Sequence, residues 1–145
     1  MTRPGVPVDV RAVNRRVIAQ FRAGEPIDGM PRERILLLTT TGRRSGAPHT
    51  APMMFHRDGD RVLVIASNAG APEHPDWYLN LVAHPGVVVE VGDESGAPRP
   101  ATATSLEGEE RARLWEMLKG TYPFFAEHEA MTERTIPVVA LVPGR

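Results

Sequence analysis

The sequence predicts an α+β domain, a small and mostly antiparallel β-barrel with helices at its periphery. Three observations lead there. Glycine and proline are both abundant, 13 and 14 in 145 residues, which implies many turns and short elements. Apolar, β-branched runs recur between those turns and read as strands. Most of the connections are too short for the crossover that parallel strands require, so neighbouring strands pair antiparallel. No G-x-G-x-x-G follows a strand and no Walker A is present, which argues against the common nucleotide-binding α/β folds.

The elements follow in order along a single domain, residues 1–145. The first is an N-terminal helix over 8–23, in which Val10, Val13, Val17 and Phe21 recur at spacings of three and four, the mark of one helical stripe. Arg11, Arg15, Arg16 and Arg22 occupy its other faces. The barrel core spans 35–142. Ile35 to Thr41 is a buried strand, His49 to Arg57 a second, and Asp58-Gly59-Asp60 a hairpin turn into a strand over Arg61 to Ser67. A short helix runs from Asp76 to Ala83, stopped before Pro85. Strands at Val87 to Val91 and Arg99 to Leu106 precede a helix over Glu107 to Lys119, whose acidic first turn suits the helix dipole. A helical piece near Phe124 to Met131 and a strand over Ile136 to Val142 complete about six strands. Closing them as a barrel is the natural way to remove exposed edges.

Composition narrows the function. A net charge of −1 with 24% charged residues provides no basic face for nucleic acid. The absence of cysteine excludes disulfides, thiolate metal sites and cysteine nucleophiles. The five histidines, His49, His56, His74, His84 and His128, lack a recognised metal-ligand spacing, so no metal site is expected. No signal-peptide core follows Met1 and no apolar run spans a bilayer, which makes a cytoplasmic location the expectation.

Three segments carry chemistry. Thr39-Thr40-Thr41-Gly42-Arg43-Arg44-Ser45-Gly46 delivers a strand into a glycine-bracketed turn with two guanidinium forks, a suitable anion cradle. Ala66-Ser67-Asn68-Ala69-Gly70-Ala71-Pro72 ends a buried strand with small residues that admit a flat ligand close to the backbone. Pro75-Asp76-Trp77-Tyr78-Leu79-Asn80-Leu81 adds two aromatic side chains. Each has an ordinary reading as well: a solvated hairpin, a plain loop, and a helix with core aromatics.

In the order L-L-L-T-T-T-G-R-R-S-G, A-P-M-M, I-A-S-N-A-G-A-P, P-D-W-Y-L-N-L and T-E-R-T-I-P-V-V, the chain resembles the deazaflavin-dependent nitroreductase family from Ile35 to Val142. The resemblance implies a split β-barrel of the flavin-reductase and pyridoxamine-oxidase type, and coenzyme F420 as cofactor. It implies that Arg43, Arg44 and Ser45 hold the coenzyme's anionic tail. His49, Thr50, Ala51, Pro52, Met53 and Met54, with Ile65, Ala66, Ser67 and Asn68, line the deazaflavin and its linker. Asp76, Trp77, Tyr78, Leu79 and Asn80 complete the wall. Tyr122 and Ser67 are the implied catalytic pair, and Trp77, Phe125 and His128 the acceptor pocket. Where relatives frequently have arginine and lysine this chain has His49 and Asn68, and where they have tyrosine it has Phe125 and His128.

The implied activity is hydride transfer from reduced coenzyme F420 to an electron-poor acceptor, a quinone, enone or nitroaromatic. A flavin mononucleotide reductase on the same barrel and a non-catalytic deazaflavin binder are the alternatives. The N-terminal helix suggests peripheral membrane contact or, with twice the weight, packing on the barrel. A monomer or a homodimer is expected.

Overall fold

The computed structural model describes residues 10–27 and 29–144. Seven strands form one antiparallel sheet: β1 (Ile35–Thr41), β2 (Pro48–Met54), β3 (His56–Asp58), β4 (Arg61–Ile65), β5 (Gly86–Val91), β6 (Arg99–Ser105) and β7 (Val138–Pro143). Four helices accompany them: α1 (Val10–Arg22), α2 (Asp76–Ala83), α3 (Gly108–Thr121) and α4 (Phe124–Ala130). The expected count of about six becomes seven because the second strand breaks at Phe55, which is buried and whose N–H donates to Arg34 O at 3.2 Å.

That break explains the barrel. The strand order is β2-β1-β5-β6-β7-β4-β3, so the two edges of the sheet are consecutive strands joined through Phe55 alone. A link of one residue spans only about 7 Å. The sheet must therefore curl until its edges nearly meet, which makes a split barrel. The two edge strands are not paired with each other: β2 pairs β1, and β3 pairs β4.

Burial follows from this closure. Leu36 and Leu38 point into the barrel with Val62, Val89 and Leu141. Ile35 and Leu37 alternate to the outer face, where α1 covers them with Val17 and Phe21. Both faces of β1 are thus covered, which accounts for its four consecutive buried aliphatics. On the other outer flank α3 and α4 lay Leu114, Trp115, Leu118 and Phe125 over Leu63 and Val138. α2 packs into the barrel through Leu81, with Trp77 and Tyr78 beside it.

The N-terminal helix ends at Arg22, one residue before expectation, and residues 8 and 9 lie outside the described ones. Its stripe is real for Val17 and Phe21 but not for Val13, which is 49% exposed. Arg22 also ties it down, donating from Nε and Nη2 to the two oxygens of buried Glu90 on β5 at 3.0 and 2.9 Å. The apolar face of α1 is thus occupied by the protein's own sheet. Among the described residues no helix is long and apolar enough to cross a membrane.

Candidate functional site

The turn after β1 is built around Gly42. A Cβ there would stand 2.5 Å from Ser45 Oγ and 2.8 Å from His49 Nε2, so glycine lets both side chains pack over the turn. Gly46 completes it at φ +71° and donates to Gly42 O at 2.8 Å. Ser45 Oγ accepts from the N–H of Ala47 at 3.1 Å. Arg43 is anchored by α2: its backbone N–H and Nη1 both donate to Asn80 Oδ1, at 3.1 and 2.9 Å, and Nη2 reaches Asp76 Oδ1 at 3.3 Å. Asn80 is buried and donates onward to Thr40 Oγ1 at 3.2 Å. Asn80 and Asp76, expected in the cofactor wall, both bond the arginine turn. Arg44 is exposed, with no partner among the described residues, and Ser45 and His49 stand exposed beside it. The turn offers a cationic rim with one guanidinium fixed and one free.

The loop after β4 is conformationally unusual. Asn68 and Ala69 have φ of 49° and 54°, and Gly70 follows at 83°, three residues in the left-handed region that L side chains avoid. Asn68 Nδ2 donates to Glu73 O at 3.0 Å, so its amide is engaged within the loop. Arg134 braces the loop from below, donating to Ala66 O, Ser67 O and Ala71 O at 3.1, 2.8 and 3.0 Å. Gly70 lies against α4, where a Cβ would stand 2.9 Å from Met131 Cβ. This close approach brings His128 to Ser67, with Nδ1 3.1 Å from Oγ.

Aromatic side chains surround that pair. Phe124 and Phe125 rings lie 5.7 and 6.2 Å from the His128 ring. Phe125 is only 4% exposed and packs on Trp115, so it supports the His128 ring from within the core. Tyr122 joins the cluster at 5.8 Å from Phe125. Its phenol oxygen lies 2.9 Å from His56 Nδ1. Trp77 is set apart from this group, packing with Met53 and Tyr78 against the barrel interior. Tyr78 bonds Ser105 Oγ at 3.0 Å and stacks against His74 at 4.8 Å, while Leu79 is half-buried on α2.

The side chains of the six residues from His49 to Met54 divide between the two faces of β2, as strand side chains alternate. His49, Ala51 and Met53 share the side of Thr40 and the barrel interior. Thr50, Pro52 and Met54 share the other side, where Thr50 Oγ1 meets Thr39 Oγ1 at 2.7 Å and Met54 packs against the core cluster of Leu63 and Phe125. The same alternation separates Ile65, which packs against the cluster under α3 and α4, from fully buried Ala66. An open groove of about 510 Å³ runs along the ends of β1, β5 and β6, lined by Thr39, Thr40, Thr41, Val88 and Thr102 among others. Thr40, the partner of Asn80, is part of its wall, and no ionisable side chain lines it.

His56, His74 and Arg134 escaped the sequence reading. Only Arg134 had a signal, a lone guanidinium in the quoted T-E-R-T-I-P-V-V segment.

The family model described as F420H(2)-dependent quinone reductase matches residues 9–143. The chain belongs to this family. An F420H(2)-dependent quinone reductase of Mycobacterium tuberculosis is 36% identical to it over 121 residues, 83% of this chain and 79% of the relative. A solved F420-H2 dependent reductase, FDR-A, is 40% identical with a TM-score of 0.65, covering 74% of this chain and 93% of that one. A solved domain-swapped dimer is 41% identical, also at 0.65, covering 74% and 79%. The heme storage protein HutZ of Vibrio cholerae, at 17% identity and a TM-score of 0.58 over 88% of each chain, shares the fold.

As a member of the quinone reductase family, the chain has coenzyme F420 as its cofactor, and the flavin mononucleotide alternative is not needed. Its residues fit that group. The free guanidinium of Arg44, beside Ser45 and His49, suits an anionic tail. The loop at Ser67, held open by three left-handed residues, suits a flat ring near the backbone.

Proposed function

We propose that this reductase transfers a hydride from reduced coenzyme F420 to a quinone, with the acceptor's oxygen beside the His128–Ser67 pair. The deazaflavin supplies the hydride. Arg43, Arg44, Ser45 and His49 would hold its tail; Ala51, Met53 and the Ala66–Asn68 turn would flank its ring, with Trp77 closing the barrel side. Quinone reduction also takes up a proton, and the charge that develops on oxygen needs a donor. The observation that carries this reading is the 3.1 Å contact between His128 Nδ1 and Ser67 Oγ. Whichever atom donates, the pair keeps one N–H or O–H for a third partner. Tyr122, bonded to His56 and packed on Phe125, is assigned to the wall of this pocket, and the donor role to the pair at the Ser67 loop.

The test is single-turnover oxidation of the protein's reduced coenzyme by a naphthoquinone. The wild-type protein should react, and Ser67→Ala and His128→Phe should each slow the step about tenfold, the cost of one hydrogen bond to developing charge. Wild-type rates in both variants would remove the pair from the chemistry. The solved relative that is a domain-swapped dimer supports a homodimer as the working form, which light scattering at micromolar concentration would test.

A further inference from the structure

The Ser67 loop has a support that its neighbours in sequence do not supply. Arg134 precedes β7 and reaches back 67 positions to donate from Nη2 to Ser67 O at 2.8 Å. Nη1 donates to Ala66 O at 3.1 Å and to His74 Nδ1 at 2.9 Å, and Nε donates to Ala71 O at 3.0 Å. Four of its five N–H groups are therefore used on one loop and its flank.

The consequence lies on the far side of those peptides. A trans peptide is planar, with C=O and N–H pointing in opposite directions. With the carbonyls of Ala66 and Ser67 turned onto the guanidinium, the N–H groups of Ser67 and Asn68 point away from it. Neither has an acceptor among the described residues. Ser67 is right-handed (φ −73°, ψ −27°) and Asn68 left-handed (φ 49°), the alternation that turns successive N–H groups toward one point. The half-buried guanidinium of Arg134 stands behind them.

The geometry points to Arg134 as a positioning residue that holds the Ser67 and Asn68 N–H groups as a donor pair for an oxygen carrying negative charge. This rests on the function proposed above. The oxygen belongs either to the coenzyme or to the quinone as it gains charge, and the two sources separate by measurement. If the pair serves the coenzyme, Arg134→Ala raises its dissociation constant about tenfold or more while the hydride-transfer rate at saturation stays. If it serves the quinone, the dissociation constant stays and the saturated rate falls about tenfold or more. In either arm, added guanidinium ion restores part of the lost constant in Arg134→Ala and leaves the wild type unaffected.

A second pair of variants covers a failure of Arg134→Ala to fold. Proline fits the φ of Ser67 and removes its N–H, so Ser67→Pro should show a higher coenzyme dissociation constant than Ser67→Ala in the first arm and a lower saturated rate in the second. The proposal is overturned if Arg134→Ala lowers the melting temperature but keeps both wild-type constants, or if Ser67→Pro equals Ser67→Ala. A wild-type protein that neither binds the coenzyme nor reduces the quinone overturns the functional reading itself.

Discussion

His128 Nδ1 stands 3.1 Å from Ser67 Oγ across 61 positions of sequence. The contact joins α4 to the end of β4, so it reports on the docking of the C-terminal helices as well as on the site. Removing either partner should cost about 1 kcal/mol of stability. The double variant Ser67→Ala/His128→Phe should cost clearly less than the sum, since residues in one hydrogen bond are coupled. A thermodynamic cycle from denaturant unfolding checks this, and strict additivity would mean that the two do not interact in solution.

The two arginines of the turn should behave differently. Arg44 has no partner among the described residues, so Arg44→Ala should weaken coenzyme binding, flatten its salt dependence and leave the fold intact. Arg43 is tied to Asn80, so Arg43→Ala should weaken binding by a similar 1.5–3 kcal/mol or so and loosen the turn as well. Asn80→Ala should mimic that loosening without removing a charge. Isothermal titration at two ionic strengths separates the three, and an Arg44→Ala slope equal to wild type would place the tail elsewhere.

Tyr122 and His56 should be energetically one unit. The phenol and the imidazole meet at 2.9 Å and their rings pack edge to face at 5.7 Å. Tyr122→Phe keeps the packing and loses the bond, a cost of about 1 kcal/mol. Its effect on hydride transfer should be smaller than that of His128→Phe. A thousandfold loss of rate in Tyr122→Phe would show the phenol acting on the acceptor.

His74 gives the protein a pH response. Burial, aided by the charge of Arg134, holds its imidazole below the ordinary 6.5, and its Nδ1 faces Arg134 Nη1 at 2.9 Å. The folded protein therefore favours the neutral ring. As pH falls below about 6.5 the unfolded chain takes up the proton first, so stability declines until the folded value is reached. Above about 6.5 this contribution is fully present. Melting temperatures from pH 8 to about 5 should drop less in His74→Gln than in wild type, and parallel curves would show that His74 does not contribute.

Arg22 and Glu90 should anchor α1. The carboxylate is buried while Arg22 is half exposed, and two hydrogen bonds join them. Arg22→Met leaves the carboxylate without its donors, costing about 1–3 kcal/mol. Tm should fall by about 3–10 °C. An unchanged transition would show that water replaces the guanidinium freely.

Most elements were legible from local pattern alone. β1 and α2 occupy the expected residues, and β5, β6, α3 and α4 begin or end within two residues of expectation. Such elements follow from hydrophobic period, β-branching and turn residues, all of which act between near neighbours. The order of the motifs also carried the family and, with it, the split barrel. The strand count was not legible, because nothing local marks Phe55 as the point where pairing passes from β1 to β4. It breaks there because the barrel must close.

The site was legible by segment and not by side chain. Sequence placed the arginine turn, the Ser67 loop and the Tyr122–His128 segment, and the structure brings the last two together. It did not show that Asn80 would anchor Arg43, that His56 would engage Tyr122, or that Arg134 would brace the Ser67 loop. These pairs lie 37, 66 and 67 positions apart. A hydrogen bond over that separation depends on distance and angle after the sheet has curled and the helices have docked. Residue type limits which partners are possible, and only the tertiary structure selects among them.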